Sequence, residues 1–135
     1  MKAYLKIATI LVVLTLFLSS CSRRKNKFIS RNFHAVTAEY KALFHGYNAL
    51  NDGVISLNES YRDNYWEILP IERMQISEDV FLPGQSKNPN FERAEEKAVK
   101  AIQRHSMNIE GKENNPQMDE AYLLLGKARY FDQRF

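Results

Sequence analysis

Asp119-Glu120-Ala121-Tyr122-Leu123-Leu124-Leu125-Gly126-Lys127-Ala128-Arg129-Tyr130-Phe131-Asp132-Gln133-Arg134-Phe135 is the stretch from which the fold follows. A helix opens at Gln117 or Met118 and runs to about Phe131. Tyr122 is large enough to fill the space between two paired helices, and Gly126, with no side chain, lets a neighbouring helix approach closely. Upstream lies the polar loop from Gly111 to Pro116, and before it a helix from Phe91 to Met107 capped by Asn90. The buried stripe of that helix is Phe91, Ala94, Ala98, Ala101 and Ile102. Glu92, Glu95 and Glu96 fill its first turns and Lys97, Lys100 and Arg104 follow, which sets the charges against the helix macrodipole. Glu96 stands four residues before Lys100, in ion-pair register.

The core Tyr122-x2-Leu125-Gly126-x2-Arg129 resembles the first helix of a tetratricopeptide repeat, whose pattern is W-x2-L-G-x2-Y. An aromatic replaces the Trp, Leu-Gly matches, and Arg129 stands where Tyr is usual, with Tyr130 one place late. The stretch from Asn90 through Ala101-Ile102 resembles the second helix of such a repeat, with Ala94 and Ala101 as its small packing residues. The resemblance implies an all-α fold of antiparallel helix pairs, TPR-like and of α-solenoid type. Such stacks need at least three repeats to bury a continuous core. On that ground the last helix, with Tyr122, Leu125 and Tyr130, is expected to lack a packing partner, and further repeats are expected beyond Phe135.

Towards the N-terminus the pattern stays helical. From Phe33 to Leu50, apolar residues recur at Val36, Tyr40, Leu43, Phe44, Tyr47 and Leu50. Asn51-Asp52-Gly53 reads as a stop. A second helix follows from Val54 to Ile68, with Val54, Leu57, Tyr61, Tyr65 and Ile68 on one stripe and Pro70 as its bound. A gap this short predicts a helical hairpin. Leu69 to Asn90, broken by Pro70, Pro83, Gly84 and Pro89, reads as an irregular connection covering apolar surface.

The first residues carry a different signal. Lys2 and Lys6 precede Ile7–Leu18, which holds no charge, and Leu18-Ser19-Ser20-Cys21 ends it with the only cysteine of the chain. That order predicts a signal peptide over 1–20, cleaved between Ser20 and Cys21. A span of the hydrocarbon core needs about 20 apolar residues, more than this segment offers. Leucine, two small residues and cysteine also resemble the lipobox of bacterial lipoproteins, which implies acylation of Cys21. A lone cysteine cannot close an intramolecular disulfide, and acylation gives it a role. Several acyl chains anchor a protein stably where one does not.

Charge divides the chain. Lys2, Lys6, Arg23, Arg24, Lys25, Lys27 and Arg31 are seven of the 19 Lys and Arg, and no acidic residue precedes Glu39; the remaining 12 against 16 acidic residues leave −4. Residues 21–31 therefore read as a lipidated basic tether attracted to anionic head groups, and 32–135 as a mildly acidic helical domain. With one interleaved aromatic, Phe28, the tether does not read as a nucleic-acid site. In Gram-negative lipoproteins an acidic residue after the cysteine retains the protein in the inner membrane. Ser22 implies the outer membrane, and a basic rather than acidic tether implies its periplasmic face.

Arg31-Asn32-Phe33-His34-Ala35, Asp63-Asn64-Tyr65-Trp66 to Ile71-Glu72-Arg73-Met74, and Ala101-Ile102-Gln103-Arg104-His105-Ser106-Met107-Asn108-Ile109 through Phe135 are similar to the start of one family. It is the SprE/PorW family of repeat-containing lipoproteins of the Bacteroidetes type IX secretion and gliding-motility machinery. The resemblance implies a scaffold whose partners are other proteins of that machinery and, through its lipid, a membrane. It implies no enzyme, no cofactor, no nucleic acid and no small-molecule substrate.

The residues offer little chemistry. His34, His45 and His105 lack metal-ligand spacing, and no metal site is expected. Glu95 and Glu96 read as a solvated face, Asn58-Glu59-Ser60 as an idle sequon, and Trp66 with Tyr61 and Tyr65 as a hairpin core. A nutrient-binding lipoprotein of the SusD type is the second reading. Exposure of those three aromatics would favour it, and their burial would favour the scaffold.

Overall fold

The computed structural model describes residues 22–74 and 88–134, so Ser20, Cys21 and the expected signal peptide lie outside the described residues. The fold is mostly helical. Helix α1 (Phe28–Thr37) runs through a wider π-helical segment (Ala38–Leu43) into α2 (Phe44–Ser60), making one continuous helix on the order of 50 Å long. Helix α3 (Pro89–His105), the short strands β1 (Asn108–Ile109) and β2 (Lys112–Glu113), and α4 (Met118–Phe131) follow.

The expected break at Asn51-Asp52-Gly53 is absent, and with it the expected hairpin. Those residues lie inside α2, which ends at Ser60, with the backbone turning extended at Tyr61 (φ −77°, ψ 131°). Glycine within a helix costs about 0.5–1 kcal/mol. Gly53 is buried against Phe91 of α3, where an added Cβ would stand 2.6 Å from the ring. Full burial of a phenylalanine contributes roughly 1.5–3 kcal/mol, which outweighs the glycine penalty. The Val54–Ile68 helix is also corrected: Val54–Ser60 continue α2, and Tyr61–Met74 contain no helix. Tyr65 and Ile68, placed on a buried stripe by their spacing, are 80 % and 99 % exposed.

Helix α3 starts two residues earlier than its apolar stripe suggests. Asn88, not Asn90, is the cap: its side-chain oxygen accepts the Asn90 N–H at 3.0 Å, and Pro89 takes the first helical position, where no N–H is needed. Phe91, Ala94, Ala98 and Ala101 are fully buried as predicted, with Ile102 half-buried beside them. Contacts along the helices fix their directions. Gly53 meets Phe91, Gly46 meets Ala94 and Lys97, and His34 meets His105, so the long first helix and α3 are antiparallel. Phe91 stacks on Phe131 with ring centres 5.9 Å apart, so α3 and α4 are antiparallel too.

The core is built from small residues. Ala38, Ala42 and Ala49 of the first helix, Ala94, Ala98 and Ala101 of α3, and Ala121 and Ala128 of α4 are all buried, with Leu43, Leu50, Leu57, Phe91, Met118 and Leu124 filling the spaces between. The last helix therefore does have a partner. It buries Met118, Ala121, Leu124 and Ala128, and an added Cβ on Gly46 would stand 2.5 Å from Leu124.

The α3–α4 connection is a small hairpin where a polar loop was expected. Asn108 pairs with Glu113 and Ile109 with Lys112, antiparallel. Glu110 (φ 54°) and Gly111 (φ 80°) make a two-residue turn with both φ positive, the geometry that follows strand twist. Among the described residues no helix is long and apolar enough to cross a membrane.

Candidate functional site

The site begins at Ser22, the first described residue, next to the Cys21 expected to carry a lipid. Cys21 itself is outside the described residues, but its neighbour Ser22 is held: the Ser30 hydroxyl donates to the Ser22 carbonyl at 2.6 Å. The Arg23 guanidinium donates to the Gln103 carbonyl of α3, and the Asn26 amide donates to Asn114 Oδ1 at 3.0 Å. The basic stretch thus lies against α3 and the hairpin, and its last residues already belong to α1, which starts at Phe28 rather than near Phe33.

Beside this joint the fold unites two of the three histidines. His34 Nδ1 and His105 Nδ1 are 3.2 Å apart, and His45 lies elsewhere against the Phe44 ring. Burial, then the Arg23 charge, lowers the His34 pKa. Burial also lowers that of His105, followed by the charges of His34, Arg104, Arg23 and Lys41. The two rings face each other through these nitrogens, and the tautomer decides which one donates. His34 Nε2 is buried without a hydrogen-bond partner. Among the described residues no group of three or more His, Cys, Asp or Glu could hold a metal, and the nearby Arg and Lys charges would repel one at the pair. The sequence holds no signal for this pair, because it needs residues 71 apart to meet.

Side chains fasten the hairpin, those of Glu113, Asn114 and Asn115 among them. Glu113 accepts from Ser106 Oγ at 2.6 Å, from the Met107 N–H at 2.7 Å and from the Asn115 N–H at 2.9 Å. Burial pushes its carboxyl up, but these bonds together outweigh that and hold it below its usual range. Buried Asn115 donates to the His105 carbonyl at 2.8 Å and accepts from the Gln117 N–H at 3.0 Å, joining the end of α3 to the start of α4.

The residues assigned to repeat packing separate into two groups. Ala94 and Ala101 are buried between helices, as expected, and Leu125 is half-buried. Tyr122 is 59 % exposed, and an added Cβ on Gly126 would meet nothing within 4 Å. Close approach in this fold is made instead by Gly46 and Gly53. Arg129, the departure from the repeat pattern, has a use: its guanidinium donates to Glu95 Oε1 at 2.8 and 2.9 Å, and Arg134 pairs with the other carboxylate oxygen. Glu95 is therefore not part of a solvated face.

The aromatics of the 61–74 segment are not a hairpin core. Trp66 is 96 % exposed and Tyr65 80 %. Tyr61 is half-buried beneath the Arg73 guanidinium, 5.5 Å from the ring centre, and Arg73 pairs with Asp63 at 3.0 Å. A hydrogen bond to Glu72 of the same segment raises the Tyr130 pKa.

The long first helix carries a second apolar face, made by part of the stripe whose spacing marks it as a helix. Val36, Tyr40 and Phe44 are 54 %, 64 % and 56 % exposed. Of the same stripe Leu43 and Leu50 are buried, together with Ala38, Ala42, Gly46, Ala49 and Gly53, which the spacing of large apolar residues does not pick out. The missed signal was the recurrence of small residues three or four apart, which marks the side where helices approach most closely. Compared with known protein families and with curated proteins, the chain has no match.

Proposed function

We propose that this protein is a lipid-anchored, non-enzymatic helical scaffold of the outer membrane, facing the periplasm and serving type IX secretion and gliding motility by binding other proteins of that machinery. The observation that carries this reading is the Leu18-Ser19-Ser20-Cys21 stretch ahead of antiparallel helices that keep apolar residues open. On α4, Tyr122 and Leu123 stay exposed while the opposite side is packed, as suits a helix that receives another protein or a further repeat. Deleting the coding sequence should leave type IX cargo inside the cell and stop gliding. Normal secretion in that strain rejects the assignment.

One observation favours the second reading, a glycan-binding lipoprotein of the SusD type. Trp66 and Tyr65 stand open to solvent, and flat aromatic faces are what sugar rings stack upon. Saturable binding to an oligosaccharide array that is lost in Trp66→Ala with Tyr65→Ala supports it. An array without binding rejects it.

A further inference from the structure

A groove of about 450 Å³ lies where the π-helical segment passes the start of α4. Its size falls within the roughly 300–1,000 Å³ of ligand pockets, and it is open to solvent. Its walls are aromatic and acidic. Tyr40 and Phe44, four residues apart on one face of the first helix, are more than half exposed, and half-buried Tyr47 follows. Glu39 and, from α4, Glu120 supply two carboxylates, and no Lys, Arg or His lines the groove. The Tyr47 hydroxyl donates to Glu120 Oε2 at 2.8 Å. Burial first, then this hydrogen bond and the Glu120 charge, push the phenol up to about 12, so Tyr47 is uncharged at neutral pH and holds the carboxylate at the groove. Among the described residues the Glu39 carboxylate pairs with no cation.

Carboxylates beside open aromatic rings, with no cation of their own, are complementary to one side chain above all. A guanidinium lies flat on a ring and forks two N–H groups to a carboxylate, whereas an ammonium is a more strongly hydrated point charge. The chain already contains that arrangement elsewhere: the Arg73 guanidinium lies over the Tyr61 ring, 5.5 Å from its centre, and pairs with Asp63 at 3.0 Å. Val36 and Phe33 continue the groove's face one and two turns beyond Tyr40 and are about half exposed. The surface therefore extends past what one cation needs, and it suits a protein that brings apolar residues beside its arginine.

We propose that this groove docks an arginine side chain of a protein partner, stacked on the Tyr40 or Phe44 ring and paired with Glu39 and Glu120. The proposal deepens the scaffold reading and rests on it only for the occupant being a protein.

The test presents the full chain, held in lipid nanodiscs, to a phage library of random short peptides, with Glu39→Gln plus Glu120→Gln as the counter-selection. Glutamine keeps an acceptor for the Tyr47 hydroxyl, so the variant removes charge and leaves the groove, and thermal melts check its fold. Arginine should be enriched several-fold over the library among peptides that need the wild-type groove. A selected peptide remade with citrulline, the neutral isostere of arginine, should bind the wild type about tenfold more weakly. That comparison uses the wild type alone and stands even if the variant misfolds. Tyr40→Ala with Phe44→Ala should weaken the arginine peptide by a similar factor and change the citrulline peptide little. No enrichment, equal enrichment of lysine, or peptides that bind the folded glutamine variant equally well overturn the proposal. Self-association of the chain that is lost in the glutamine variant overturns it in favour of the basic segment of a second copy. The selection does not depend on the pathway served. Normal secretion in the deletion strain would therefore reject the type IX assignment and leave this result standing.

Discussion

Gly53 and Gly126 are the same residue type on helices of one small protein, and their surroundings predict opposite outcomes. Gly53 faces the Phe91 ring at 2.6 Å from where a Cβ would be, so Gly53→Val forces overpacking and should cost roughly 1–3 kcal/mol in denaturant melts. Gly126 faces open space, so Gly126→Ala gains helix propensity alone and should stabilise by about 0.5–1 kcal/mol. The histidine pair gives a prediction in pH. Both pKa values are lowered by folding, so the unfolded chain binds more protons just below the ordinary histidine value of about 6.5. The pair's contribution is complete above that value and is lost as pH falls towards the folded pKa values. Thermal melts should weaken between about pH 7 and 5. In His34→Gln with His105→Gln that slope should flatten, and an unchanged slope would assign it to other groups.

The hairpin and α4 behave as one element. Glu113 holds three donors of the connection, so Glu113→Ala strands them and should cost roughly 1–3 kcal/mol. Its folded pKa is lowered, so this contribution is present above the unfolded carboxylate value and is lost as pH falls through the folded one. The repeat resemblance implies a last helix without a packing partner, whose removal with residues 111–135 would change stability little. The packing reverses that expectation: Phe91, Ala94, Ala98 and Ala101 are fully buried, and Ala121, Leu124 and Ala128 of α4 are buried in the same cluster. Truncation after Glu110 should abolish a cooperative melt. A truncated chain that melts as sharply as the parent would show the α4 contacts to be dispensable.

For the whole molecule the predictions concern where it sits. Cys21→Ala should abolish lipid labelling and leave the protein unprocessed or soluble in cell fractionation. Unchanged membrane fractionation of that variant rejects the anchor. Replacing His34, His45 and His105 together by Gln should leave secretion intact wherever abundance is preserved. The buried His34–His105 pair makes a folding defect the expected side effect, so protein level must be measured beside export.

The apolar periods of α3 and α4 determined those two helices and the buried side of α3 from the sequence alone. A stripe such as Phe91, Ala94, Ala98 and Ala101 has one way to be buried, and Pro89 and the polar loop bound it locally. The first helix defeated the same reasoning because it is apolar on two sides. Local pattern cannot say which side a partner will choose. The tertiary structure chose the Ala and Gly side, because close approach of three helices gains more contact there than the bulky Val36, Tyr40 and Phe44 would allow. That choice carried Asn51-Asp52-Gly53 into a helix, brought His34 to His105 and left the large apolar residues facing outward. Each depends on groups from about 40 to 70 residues apart meeting in space.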